Sequence, residues 1–148
     1  MGVTPVRGTR TWTAAAVAAA VTILCAAPPA SGEPRAASAP CVTREGVEHI
    51  DWTGMWFDHD VVCDNSPSEL RLQTYPTSPV VSMLLTTRSW VVCWKTGDPP
   101  PGGNEFYYYT QGNVIVDRPG AKGWGYLPGH LLYADGHPAP GVPKCRWA

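Results

Sequence analysis

Apolar and polar positions alternate in short bursts along most of this chain, and from Cys41 onward no stretch keeps helical period for three turns. A helix face needs apolar residues three and four apart, sustained over a dozen positions; a half-buried strand needs period two over four to eight. The bursts are of the second kind, rich in Val, Thr, Trp and Tyr and punctuated by Gly and Pro. They predict strands at Met55–Val62, Glu69–Thr74, Val80–Leu85, Ser89–Lys95, Glu105–Thr110, Gly123–Leu127 and Leu131–Tyr133. Between them Asp98–Gly103 (DPPPGG) and Asp117–Lys122 (DRPGAK) predict loops, because proline cannot donate to a β ladder. One helical turn is expected near Pro128–His130. The class is all-β, a small barrel or sandwich.

The first 40 residues follow a different pattern. Arg7 and Arg10 precede an uncharged apolar run from Trp12 to Ala27, and small residues at Ala30-Ser31-Gly32 offer a cleavage site. That run is shorter and more alanine-rich than the roughly 20 strongly apolar residues that span a bilayer comfortably. Residues 1–32 therefore read as a secretory signal peptide, with an uncleaved anchor as the alternative. A lipoprotein reading would want a small residue before Cys25, where Leu24 stands. Residues 33–40 (EPRAASAP) lack apolar periodicity and read as a disordered lead-in. The 148-residue chain has room for one domain, divided by pattern after these segments into an extra N-terminal segment, 41–68, and a main β domain, 69–145.

Charge and cysteines narrow the function classes. Loss of residues 1–32 removes two of the 11 basic residues and none of the 12 acids, moving the net charge from −1 to −3. Such a mildly acidic domain has no footprint for nucleic acid or anionic lipid. The same cut removes Cys25 and leaves an even set, Cys41, Cys63, Cys93 and Cys145, as expected of an extracellular protein in an oxidising compartment. Four cysteines allow three connectivities, of which Cys41–Cys63 with Cys93–Cys145 is favoured because each pair closes a separate region. A zinc site would need clustered ligands of the C-x2-C kind, and these cysteines are too far apart in sequence for it. No metal and no cofactor is implied.

The candidate binding residues are aromatic. On the strand Ser89–Lys95, period two places Trp90, Val92 and Trp94 on one face and Val91 and Cys93 on the other; Tyr107 and Tyr109 likewise share a face. Tyrosine and tryptophan bring large rigid area with one polar tip, which suits either a binding surface or a small core. An exposed groove would draw on Tyr75, Tyr107, Tyr109, Trp124 and Tyr126; the alternative is that these rings are packing.

Several segments carry a resemblance. Arg71–Val81 is a strand, a Pro-bounded turn and a second strand start, and Gly123-Trp124-Gly125-Tyr126-Leu127-Pro128 leads into Leu131-Leu132-Tyr133. Further pieces are Cys93-Trp94 with Gly97, Gly102-Gly103-Asn104, Tyr107–Gly112 and the tail Pro140–Cys145. Together, over roughly Glu69 to Cys145, they resemble the bacterial SH3-type domain and the small secreted SH3-like proteins of actinobacterial type. The turn Gln73–Ser78 departs from that family's Arg-Ser-Gly-Pro form, and Cys41–Asp64 has no counterpart in it. The resemblance implies an SH3-like β-barrel and an envelope-associated binding module, often for cell-wall peptides.

Catalytic patterns are thin. Asp58-His59-Asp60 on a strand puts two carboxylates on one face and the imidazole on the other, so it reads as a solvated loop or edge strand before a metal fragment. His49, His130 and His137 lie singly, without metal-ligand spacing. No Gly-x-Ser-x-Gly elbow or phosphate loop is present, and an even cysteine set argues against a nucleophilic thiol. The expectation is a secreted, non-catalytic binding module without a membrane span, for cell-wall peptidoglycan (peptide or glycan) or an envelope protein. An inhibitor or effector with a protein partner is the alternative, and a small hydrolase a lesser one.

Overall fold

The computed structural model describes Gly2 and residues 40–148; the expectations placed on 1–32 and 33–39, Gly2 aside, lie outside the described residues. In chain order the strands are β1 (Val42–Ile50), β2 (Trp56–Asn65), β3 (Ser68–Arg71), β4 (Val80–Leu84), β5 (Arg88–Val91), β6 (Cys93–Thr96), β7 (Phe106–Gln111), β8 (Val114–Ile115), β9 (Trp124–Pro128) and β10 (Leu132–Tyr133). Short 3-10 turns occur at Pro119–Ala121 and Gly129–Leu131, the second beside the expected helical turn, and the described residues hold no α-helix. The protein is all-β.

The strands form two antiparallel sheets. In the first, β2 pairs with β1, β10 and β5; the second runs β6-β7-β9-β3-β4-β8. The second sheet ends on β6 and β8, which do not pair with each other, so the ladders form open sheets rather than the expected closed barrel.

The passage between the sheets lies where the sequence predicted one continuous strand, Ser89–Lys95. The chain breaks there at Val92, whose N–H donates to the Tyr109 carbonyl at 3.0 Å. Segment β5 stays with β2 while β6 turns onto β7, making a corner of the kind by which strands switch sheets. The alternation assigned to this segment fails at the corner: Trp90, Val92 and Cys93 join one apolar cluster, while Trp94 packs against the other.

Strand β1 had no counterpart in the predicted set. Its run VTREGVEHI is mostly exposed, so it carries no apolar alternation; it is held by its ladder to β2 and by the Cys41–Cys63 bridge. Strand β8 is two exposed residues at a sheet edge, too short to leave a pattern.

Two cores result. One gathers Val61, Cys63, Leu70, Val81, Leu84, Val91, Tyr108, Leu127 and Leu132; the other gathers Phe57, Val92, Cys93, Tyr107, Tyr109, Trp124, Tyr126 and Cys145. Strand β7 supplies both, Tyr108 to the first and Tyr107 and Tyr109 to the second, which is why Phe-Tyr-Tyr-Tyr reads as continuous rather than alternating apolar sequence. Beside it β9 lies close on its neighbours. A Cβ at Gly125 would sit 2.7 Å from Val81 Cγ2 and 3.0 Å from the Arg71 carbonyl, so only glycine lets the backbones approach this far. The bridges are Cys41–Cys63 and Cys93–Cys145, the second tying the C-terminal tail to β6. Beside that bridge, the tail adds hydrogen bonds from the Trp94 N–H to Pro143 O and from the Cys145 N–H to Trp94 O.

Candidate functional site

The site begins at the turn Asp51–Met55 joining β1 to β2. Asp51 is an Asx-type turn former: its Oδ1 accepts from the Thr53 N–H at 2.8 Å, the Thr53 hydroxyl at 2.6 Å and the Met55 N–H at 3.0 Å. Gly54 takes the left-handed backbone, φ 89°, that closes such a turn. This leaves Asp51 Oδ2 facing inward, where the Tyr109 hydroxyl donates to it at 3.2 Å.

Between this turn and the second sheet lies an open cleft of about 310 Å³. Trp52, Thr53 and Met55 border it from the turn, Leu72 and Gln73 from the segment after β3, and Lys95 from β6. Tyr109, Trp124 and Tyr126 form its floor, and Trp147 of the tail closes one side. The floor rings pack against one another, Tyr109 lying 5.0 Å from Trp124 and 4.9 Å from Tyr126 by ring centroids. Trp147 stands edge-on to Tyr109 at 5.4 Å, and its indole N–H donates to the Tyr126 hydroxyl at 2.8 Å. Lys95 Nζ lies 5.6 Å from the Tyr126 ring centroid, a cation–π contact.

Electrostatics keep the floor neutral. Burial pushes the Tyr109 hydroxyl up, the Asp51 charge and hydrogen bond add to this, and a hydrogen bond with Trp52 opposes it. Burial likewise raises Tyr126, partly offset by the Trp147 hydrogen bond. Neither phenol ionises near neutral pH, so both remain donors with an apolar face.

Of the five rings expected in a groove, the structure brings Tyr109, Trp124 and Tyr126 together and leaves two elsewhere. Tyr75 lies in the β3–β4 turn, exposed and outside the cleft lining. Tyr107 is fully buried, donates its hydroxyl to the Asp98 carbonyl at 2.6 Å, and lines a separate, proline-edged groove with Pro76, Pro100, Pro101 and Pro128. The three floor rings are themselves at most 5% exposed, so the accessible aromatic area belongs to Trp52 (46%) and Trp147 (37%). The sequence reading missed both, because each lies outside any strand. The visible signal was a bulky indole in a turn, Asp-Trp-Thr-Gly, and another two residues beyond the last cysteine.

Asp58-His59-Asp60 is strand rather than loop. It lies in β2 where that strand is paired to β1 alone, the ladders to β5 and β10 beginning only at Val61, so the expected edge position holds; the expected solvation does not, since Asp60 is fully buried. Inward positions fall at Phe57, Asp60 and Val61, so period two breaks opposite the β-bulge between Glu45 and His49. That irregularity turns Asp60 toward Arg44, which binds it through Nε at 2.8 Å and Nη2 at 2.5 Å, and toward His49 Nε2 at 2.8 Å. Burial works to raise the Asp60 carboxyl, but hydrogen bonds from Arg44 and His49 outweigh it and hold it below the usual range. His49 stacks on Trp90 at 4.0 Å, with an interplanar angle of 21°. Its neighbours therefore fix it on both ring face and ring edge. Asp58 stays exposed and pairs with His59.

The other single histidines are fixed by neighbours too. His137 Nδ1 lies 2.8 Å from the Tyr108 hydroxyl, and Gly103 packs against the His130 ring. Among the described residues no three His, Cys, Asp or Glu side chains gather as metal ligands. Comparison with family models, with curated proteins and with solved structures finds no match, so the chain's own geometry carries the functional argument.

Proposed function

We propose that this protein is an exported, non-catalytic binding module of the bacterial SH3-type, which holds a cell-wall peptide or glycan strand in the cleft between Trp52 and Trp147. One observation carries the reading: a cleft with two half-exposed indoles at its rim and a rigid, neutral aromatic floor. Apolar walls with a few convergent polar groups are what a small-molecule or extended-chain site requires. Thr53, Gln73 and Lys95 supply those polar groups. Asp51 is committed to the turn rather than free to act as a general base, since one oxygen accepts three hydrogen bonds from the turn and the other receives Tyr109. The two disulfides fit export to an oxidising compartment.

Sedimentation with purified cell wall tests this. Trp52→Ala and Trp147→Ala each remove a rim indole of hot-spot type and should weaken binding about tenfold or more. Trp52→Ala should melt near the wild type, whereas Trp147→Ala, which also removes a hydrogen bond from the buried Tyr126 hydroxyl, should melt somewhat lower, so its binding is compared well below the transition. A wild-type protein that never sediments with cell wall would end the proposal, and capture of a protein from culture supernatant would favour the inhibitor reading.

A further inference from the structure

The same turn presents a second surface, facing away from the cleft. Strand register sets Ile50 directly opposite Trp56 across the β1–β2 ladder. Both side chains are exposed, Ile50 at 62% and Trp56 at 46%, and neither lines the cleft. The pair preceding them, His49 and Phe57, points the other way, into the aromatic core. From Ile50 to Phe57 the one ionisable side chain is Asp51, which is 4% exposed and turned inward. The tip is thus an apolar surface without an exposed charge.

The backbone of the turn is also closed on itself. The Asp51 N–H donates to Met55 O at 2.9 Å and the Gly54 N–H to Asp51 O at 3.0 Å. The Thr53 and Met55 N–H groups both donate to the Asp51 carboxylate. Four of the turn's five amides therefore have intramolecular acceptors. A loop that leaves water must satisfy its backbone groups internally, since each unsatisfied one costs several kcal/mol in hydrocarbon. Tryptophan beside a branched aliphatic residue is the composition favoured at the boundary between headgroups and acyl chains.

We propose that the β1–β2 turn is a shallow lipid anchor, inserting Ile50 and Trp56 into the interface of an electrically neutral bilayer. Charge selects the lipid. From Glu45 to Asp60 the hairpin end carries no Lys or Arg, and the exposed charges nearest the tip along the chain, Glu48 and Asp58, are both acidic, so it offers nothing to attract an anionic surface. This surface does not depend on what the cleft binds.

Flotation with phosphatidylcholine vesicles tests the anchor, using wild type and variants matched in processing state by intact mass. Ile50→Ser and Trp56→Ser should each lower the partition coefficient about tenfold, from the apolar area withdrawn, with unchanged melting temperature. Replacing a third of the lipid with phosphatidylglycerol should weaken wild-type binding. Trp147→Ala, which alters the cleft and not the tip, should float as wild type does. The proposal is overturned if wild type does not partition, if the two serine variants partition equally well, or if Trp147→Ala abolishes flotation. It is also overturned if Ile50→Ser instead dissolves a dimer, which would make the tip a protein contact.

Discussion

At the scale of single residues, Asp60 shows how a side chain with weak sequence signal can carry structural weight. A fully buried carboxylate is tolerable because a bidentate guanidinium and an imidazole replace its water. Removing one partner leaves the charge buried and under-satisfied, a loss of about 3 kcal/mol in comparable sites. Arg44→Ala should therefore destabilise strongly, measured by urea unfolding, whereas Arg88→Ala, which removes an exposed pair with Asp64, should cost less than about 1 kcal/mol. The Asp60 carboxyl is held below its ordinary value, so its folded form binds its proton more weakly than the unfolded chain does. Its contribution is fully present above the unfolded value of about 4 and is lost as pH falls through the lower folded value. Melting temperature should drop below about pH 4, and Asp60→Asn, although less stable at neutral pH, should show a flatter curve in that window.

At the scale of elements, close approach of backbones decides what β9 can accept. Gly125→Ala would drive its methyl against Val81 and the Arg71 carbonyl, and β9 cannot retreat because it is paired to β7 over five positions. Overpacking of this kind costs roughly 1–3 kcal/mol. Gly120→Ala, where nothing lies within 4 Å, is the control and should leave the unfolding midpoint in place. Equal midpoints for the two variants would show that the sheet yields at Gly125. Elements were legible in sequence to the extent that one face is buried. β4, β7 and β9 are flanked by partners and gave clear apolar runs. β1 has one partnered edge and exposed side chains, so nothing in its pattern separated it from a loop.

At the scale of the whole molecule, the two disulfides do different work. By loop-closure entropy, separations of 22 and 52 residues correspond to roughly 3 and 4 kcal/mol. Thiol labelling of the unfolded, unreduced protein should find Cys41, Cys63, Cys93 and Cys145 all blocked. The Cys93–Cys145 bridge also sets the tail that carries Trp147 into the cleft. Cys93→Ser with Cys145→Ser should therefore lower both stability and cell-wall binding. The matching pair at Cys41 and Cys63 should lower stability while binding persists at temperatures where the fold survives. If both pairs lose binding equally while still folded, the tail is not a distinct wall of the site.

The sequence by itself determined the all-β class, most of the strands, the two proline loops and the favoured cysteine pairing, because each rests on local rules. Period two, the missing proline donor and chain closure between cysteines act over a few residues or along one loop. Tertiary structure decided the rest. That Val92 is a corner depends on where β7 lies, since Tyr109 receives its amide. That Tyr109, Trp124 and Tyr126 are a floor and Trp52 and Trp147 the rim depends on three distant segments meeting: the first hairpin, the second sheet and the bridged tail. That Asp60 is buried depends on a bulge in the facing strand, which brings His49, whose own ladder partner Phe57 lies three residues away, within 2.8 Å of the carboxylate. Patterning records which side of an element faces water; it does not record which other element supplies the cover.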